Sequence, residues 1–205
     1  MKPRLQSGNA AARPGPTSVD LSNPEEVESA ADRIKSDTGV PDMIVNNAGA
    51  GKWLPLVETS LAEARTMIEL PYLAAFYVTR LFLPEMIRRG SGNVTCVTSP
   101  ASYLVWPNAC GYIASRHALR GFTEALRQEV RHTGVHVSLV TLGTVASPYW
   151  AHNPGSREHL PKAIPGLMPE LSTAQAAEVI ADAIEHNRAR SVRPGLFKFL
   201  FFLSR

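Results

Sequence analysis

The sequence predicts an α/β fold, a parallel sheet covered by helices on both faces. Three observations predict it. Segments of helical periodicity alternate with short apolar segments along most of the chain. Two of the short segments, Val94 to Thr98 and Val135 to Gly143, carry no charge, as strands buried on both faces require. The chain has 205 residues, 44% apolar and 19% charged, enough for one domain with a sizeable core and too few for two.

The elements follow in order. Residues 1–19, with Pro3, Pro14, Gly15 and Pro16, read as a disordered leader. A helix then starts behind Ser22 or Asn23 as cap. Pro24 sits in its first turn, Glu25 and Glu26 at its positive end, and Gly39 stops it. Val27, Ala30, Ala31 and Ile34 mark its buried face. A short strand from Asp42 to Val45 runs into Asn46-Asn47-Ala48-Gly49. Residues 60–89 are mostly helical, with a kink or break at Pro71, which has no backbone donor. Gly90 to Asn93 turns into the strand Val94 to Thr98, and a loop with two prolines follows over 100–110. A second long helix, 110–132, starts near Cys110 and puts Leu119, Phe122, Leu126 and Val130 on one face. Arg120 and Glu124 pair on another face, and Gly134 ends the helix. The next strand is Val135 to Gly143. Residues 148–171, with five prolines, read as a long loop with short helical pieces. Thr173 caps a helix containing Ala176, Ala177, Ile180 and Ile184, and Ser191 to Arg193 forms a last strand. The tail holds four of the seven phenylalanines.

Charge excludes one class. The net charge is +3, but Lys2, Arg4 and Arg13 lie in the leader and the remainder is balanced, so no basic face for nucleic acid is expected. Cys96 and Cys110 make no disulfide framework, and the N-terminus lacks the apolar core of a secretory signal, so a cytoplasmic location is expected. His132 and His136 straddle Gly134, and His152 and His159 lie in a loop, so no metal site is expected. Serine hydrolase chemistry lacks its GxSxG motif. Leu196 to Leu203 mixes aromatic and basic residues as an interface helix does, yet packing against the domain is the preferred reading and membrane contact is not expected.

In open parallel sheets, ligands bind at the carboxyl ends of the strands. Three such ends are rich here: Asn46 to Gly49, Thr98–Ser99, and Gly143 to Ser147. Tyr112 and Arg116 share a helix face one turn apart, and a guanidinium beside a phenol favours the phenolate. A hydroxyl such as Ser99 can hydrogen-bond a substrate oxygen. Together these groups can hand a proton to a carbonyl oxygen while hydride arrives from elsewhere.

The ordered set resembles the short-chain dehydrogenases/reductases over roughly residues 20–200. Asn46 to Gly49 match the family's NNAG motif. Ser99 precedes Tyr112 by the family's usual thirteen residues, and Tyr112-Ile-Ala-Ser-Arg116 matches YxASK except at its last position. Leu142 to Ser147 sits where the family has PGxVxT, and Asp20 resembles the aspartate near the adenine. The resemblance implies an NAD(P)-dependent oxidoreductase on a Rossmann-like, doubly wound sheet, acting on a carbonyl or secondary alcohol. It implies Ser99, Tyr112 and Arg116 as catalytic. It places Asp20, Asn46, Ala48, Gly49, Tyr112, Arg116, Val145 and Ser147 along NAD or NADP. It also implies a homo- or heterodimer through helices 60–89 and 110–132.

Four departures accompany it. The glycine-rich phosphate loop is not found, so residues 20–205 are expected to form a partial domain lacking the first two strand–helix units, with the strand at Asn46 exposed at the sheet edge. Arg116 replaces lysine, Pro71 replaces the family's helix asparagine, and Leu142 replaces proline. Impaired catalysis is the expectation, and the alternative is a non-catalytic interaction or regulatory subunit of the same ancestry.

Overall fold

The computed structural model describes residues 18–160 and 169–203. The expected leader lies outside these, apart from its last two residues, and so does the middle of the 148–171 loop. Helix α1 (Pro24–Thr38) is capped by Asn23, whose side-chain oxygen accepts from the Glu25 and Glu26 amides. Gly39 closes it, and Val27, Ala30 and Ala31 are buried as their spacing predicts. Strand β1 (Met43–Asn46) follows.

The 60–89 stretch divides where proline dictates. Helix α2 (Leu61–Ile68) opens on a reciprocal cap between Ser60 and Glu63. A π-helical turn, Glu69–Leu73, then carries the buried Pro71. Pro71 cannot donate to the carbonyl four residues back, and the ladder resumes one residue out of step, with Ala74 N–H donating to the Glu69 oxygen. Helix α3 (Ala74–Arg89) continues past Pro84, whose ring is solvent-exposed, as is Arg80 four residues before it, so water can reach the freed carbonyl.

Strand β2 (Gly92–Thr98), helix α4 (Cys110–Glu129), strand β3 (Val135–Leu142), a one-turn helix α5 (Tyr149–His152), helix α6 (Thr173–Glu185), strand β4 (Arg190–Arg193) and helix α7 (Leu196–Leu203) complete the described elements. The strand ends shift by one or two residues from expectation, β2 beginning at Gly92 inside the expected turn, and two helix boundaries differ as well. The cap of α6 is Ser172 rather than Thr173, because the Ser172 hydroxyl accepts from the Gln175 amide while the Gln175 side chain accepts from the Ser172 amide. Helix α4 ends at Glu129, not 132, and the turn to Gly134 carries the chain into β3.

The sheet is parallel, in the order β1-β2-β3-β4. One face carries Ile44, Val94, Cys96, Val137 and Leu139 into a core shared with Ala31 of α1, Phe82 and Met86 of α3, and Leu119 and Leu126 of α4. The other face, through Val140 and Leu142, packs under Ala176 and Ala183 of α6. Among the described residues β1 pairs with β2 alone, and its Met43 and Val45 are 53% and 41% exposed. The tail helix docks by its predicted inward packing: Phe197 and Phe201 are buried, and Phe201 stacks on Tyr103 at 4.0 Å. Where β4 has not yet begun, Arg127 of α4 completes the ladder. Its Nε donates to the Val137 carbonyl at 2.9 Å and its Nη2 to the Ala189 carbonyl at 2.6 Å. No helix among the described residues is long and apolar enough to cross a membrane.

Candidate active site

The carboxyl ends of β1, β2 and β3 converge on the first turns of α4. At the end of β1 the chain leaves the sheet through Asn46 to Gly51. The Asn46 side chain turns into the protein: its amide donates to Thr79 Oγ1 at 3.1 Å and to Cys96 Sγ at 3.6 Å. Burial pushes the Cys96 thiol pKa up, with Thr123 and Asn46 opposing through hydrogen bonds. That amide therefore ties the loop's root to α3 and β2. Ala48 and Gly49 beyond it present exposed backbone.

At the end of β2, Ser99 caps a single 3-10 turn, Pro100–Ser102, its hydroxyl oxygen accepting from the Ala101 amide at 3.3 Å. Its own hydrogen remains available to donate. This turn packs against α4, and Ala101 shares one apolar cluster with Tyr112. Arg120 holds the turn from α4, donating to the Ser102 carbonyl at 2.6 Å and lying over the Tyr103 ring at 4.1 Å.

Tyr112 and Arg116 meet as their spacing predicts. The guanidinium carbon sits 4.6 Å from the Tyr112 ring centroid, and both residues are buried. Arg116 Nη2 donates to the Ala50 carbonyl at 3.4 Å, while Nε is buried without a partner. The guanidinium lies so close to the loop that a Cβ on Gly49 would stand 3.0 Å from both terminal nitrogens. A side chain at this position would have to push the guanidinium aside by a few tenths of an ångström.

The aromatic surroundings of Tyr112 were not legible as a site in the sequence. Trp53, from the loop after β1, is buried with its ring 5.3 Å from that of Tyr112 and 5.9 Å from that of Trp106. Gly51 adopts φ +135, and a Cβ there would meet Tyr112 Cδ2 at 3.0 Å. Tyr149 of α5 donates its hydroxyl to the Gly51 carbonyl, and the Trp53 amide donates to the buried Ser156 Oγ at 3.1 Å. Burial pushes the Tyr149 phenol pKa up, the neighbouring Tyr112 adds to the rise, and Arg116 opposes it. The residues 51–53 and 149–156 thus clasp over the Tyr112 ring. Only the position of Trp53, four residues beyond Gly49, could have signalled it. On the other flank, Lys52 pairs with Glu63 at 2.7 Å.

At the end of β3, Thr144 to Ala146 pair with Leu171, so both ends of the 148–171 loop are pinned together beside the site. Val145 is half-buried against Leu171 and its neighbours. The Ser147 amide donates to the Val145 carbonyl at 2.9 Å, and two residues later the chain reaches Tyr149. Asp20 stands apart from this assembly. Its carboxylate accepts from the Ser22 amide and hydroxyl ahead of α1, which lowers its pKa, and its own amide donates to Glu26. Among the described residues no cluster of His, Cys, Asp and Glu is arranged to hold a metal ion.

The family model for short chain dehydrogenases matches residues 6–157, about three quarters of the chain. The chain belongs to the short-chain dehydrogenase/reductase family. It is 30% identical to the uncharacterized oxidoreductase YbbO of Escherichia coli over 169 residues, covering 82% of this chain and 62% of that protein. It is 37% identical to human dehydrogenase/reductase SDR family member 7 over 130 residues, covering 63% of this chain and 38% of that one. A short-chain dehydrogenase of Streptomyces avermitilis superposes with a TM-score of 0.75 at 27% identity, over 90% of this chain and 72% of that one. An alcohol dehydrogenase of Thermococcus sibiricus, solved with 5-hydroxy-NADP, gives 0.70 at 25% identity over 85% and 70%. The chain therefore spans less than two thirds of these curated relatives, and its sheet is that of the family's Rossmann-like fold.

Proposed function

We propose that the chain is an NAD(P)-dependent oxidoreductase acting on a carbonyl or secondary alcohol, with Tyr112 as the proton-transferring group. The observation that carries this reading is the placement of the Tyr112 phenol under the Arg116 guanidinium, beside the Ser99 turn. The residues fit the nicotinamide end of the cofactor. Ala48 and Gly49 offer bare, exposed backbone next to Arg116, and the buried Arg116 Nε is left without a protein partner. When bound, the cofactor supplies or accepts the hydride. Ala48, Gly49, Val145 and Ser147 would line its nicotinamide half, Asn46 would anchor that loop from beneath through Thr79 and Cys96, and Asp20 would lie towards its adenine.

In the reducing direction Ser99 donates its free hydroxyl hydrogen to the substrate carbonyl oxygen and orients it. Tyr112 then passes its phenolic proton to that oxygen. Arg116, lying against the ring, stabilises the negative charge left on the phenol. Guanidinium is broader than the ammonium of the family motif, and here it is held by the Ala50 carbonyl, so the charge is kept but its grip on ribose hydroxyls is weakened.

In this reading residues 20–205 form a partial NAD(P)-binding domain, and among the described residues no glycine-rich turn leads from a strand into a helix to receive the pyrophosphate. The single pairing of β1 among the described residues and the exposure of Met43 and Val45 favour a second reading, an interaction subunit completed by a relative. Either form would dimerise through α2–α3 and α4, where Tyr72, Phe76 and Phe122 cluster and Phe76 is exposed.

The test is titration of the folded chain with NADH and NADPH by nicotinamide fluorescence, then carbonyl reduction by wild type and Tyr112→Phe. Saturation below roughly 100 µM, with turnover abolished by Tyr112→Phe, is expected. A folded chain that binds neither cofactor overturns the enzyme reading in favour of the interaction subunit.

A further inference from the structure

The surroundings of Tyr112 also constrain the substrate. From Trp53, Trp106 and Tyr149 we infer that the site takes an uncharged, planar aryl or fused-ring ketone, whose ring replaces the Trp53–Tyr112 contact when the clasp opens. This inference rests on the oxidoreductase reading and narrows it.

Three observations carry it. The walls around the phenol are aromatic and come from separate segments: Trp53 after β1, Trp106 after β2, Tyr149 after β3. Faces held by independent loops can part and close on a flat ring without unfolding any helix, and offset or edge contacts with such a ring recover what the protein's own pair gives up.

Charge is the second observation. A carboxylate or phosphate substrate needs an accessible cation with free donors. Arg116 is 7% exposed and engaged with the Ala50 carbonyl and the Tyr112 ring, and its one unpartnered donor, Nε, is buried and assigned to the cofactor side. Lys52 is paired with Glu63 at 2.7 Å. Arg157, which lies over the Trp150 ring beside Tyr149, is paired with Glu170 at 3.2 Å. An acid entering here would lose its hydration and find no partner.

The third is hydrogen-bonding capacity. A sugar needs several polar groups facing it. The Tyr149 hydroxyl donates to Gly51, and Ser156 Oγ accepts the Trp53 amide. These groups hold the clasp instead of lining a polyol site. Opening requires both bonds to part, so Tyr149 sets access as well as surface.

The test is calorimetric titration of the full chain, without cofactor, with 2-acetonaphthone, pyruvate and dihydroxyacetone. Saturable binding of 2-acetonaphthone at least tenfold tighter than either small carbonyl is expected. Trp106→Leu, at a half-buried position where folding is least at risk, weakens it about tenfold. Tyr149→Phe keeps the ring, removes the hydroxyl bond and tightens binding several-fold. The inference is overturned if pyruvate or dihydroxyacetone binds as tightly, if the folded chain shows no saturable binding of the naphthyl ketone, or if Tyr149→Phe weakens it. Cofactor titration on the same preparation separates the two readings. NADPH binding without ketone binding removes only the substrate class, and ketone binding without NADPH removes only the enzyme reading.

Discussion

Gly51 sits where backbone geometry and the placement of Tyr112 meet, and Gly51→Ala tests both. At φ +135 an L-residue is strained by about 1–3 kcal/mol. The new Cβ would also stand 3.0 Å from Tyr112 Cδ2 and 3.1 Å from Met67 Cγ. Met67 has little room to retreat, because it is buried and its tip already fills the space over Gly111 that a side chain there would take. Tyr112 is held in turn by Trp53 and Arg116. Crowding of this kind costs about 1–3 kcal/mol more, for a total of about 4 kcal/mol. Gly39→Ala supplies the control: φ is +79, but nothing lies within 4 Å of its Cβ position, so only the backbone cost of about 2 kcal/mol applies. In a chain of this size each kcal/mol lowers Tm by roughly 2–4 °C. Circular-dichroism melts should show losses of roughly 8–16 °C for Gly51→Ala and roughly 4–8 °C for Gly39→Ala. Any carbonyl reductase activity should fall further in the Gly51 variant, because the phenol is displaced. Equal losses in the two variants would refute the packing of Tyr112 against this loop.

Three other outcomes follow from the same structure. Gly134→Ala would place a Cβ 2.0 Å from the Gly90 carbonyl oxygen at φ +81, so a loss of about 4 kcal/mol or outright failure to fold is expected, and a melt within a few degrees of wild type would contradict the turn-on-turn packing. The Glu63 carboxyl is held down to about 2 from an ordinary 4.5 by its hydrogen bonds to Lys52 and Ser60, so its contribution is complete above pH 4.5 and is lost as pH falls towards 2; Glu63→Gln, which keeps the helix cap, should flatten the acid side of the Tm-versus-pH curve, and an unchanged acid limb would exclude the pair. Arg127→Met leaves the Val137 carbonyl without its side-chain donor and the Ala189 carbonyl with the Leu139 amide alone, and should cost about 1–3 kcal/mol; Arg127→Lys should recover only part, since one ammonium does not reproduce the fork, and full recovery in denaturant melts would argue against the bridging role.

Much of the fold could be read directly because it depends on local chemistry. Asn23, Pro24 and Gly39 bound α1 through caps that involve a few neighbouring residues. Pro71 interrupts its helix because a missing donor is a property of the residue itself. Strands β2 and β3 were recognisable from their uncharged runs, and Tyr112 and Arg116 met because one helical turn separates them. The shift of the α6 cap by one residue shows the limit of such reading. Ser172 and Thr173 are both competent caps, and the reciprocal bond to Gln175 selects the first.

What tertiary structure alone decided is long-range. Trp53 and Ser156 are 103 residues apart in sequence, and Tyr149 and Gly51 are 98 apart, so no local pattern announces that they close over the same phenol. The Asn46 amide reads in the motif as a cleft residue, yet the packing of α3 and β2 turns it towards Thr79 and Cys96. The sequence by itself determined the alternation of strands and helices, the helix ends and the pairing of Tyr112 with Arg116, because those follow from backbone periodicity and local hydrogen bonding. The aromatic clasp, the burial of Arg116 and the edge position of β1 among the described residues were settled only when distant segments packed, because each depends on what occupies the space beside it.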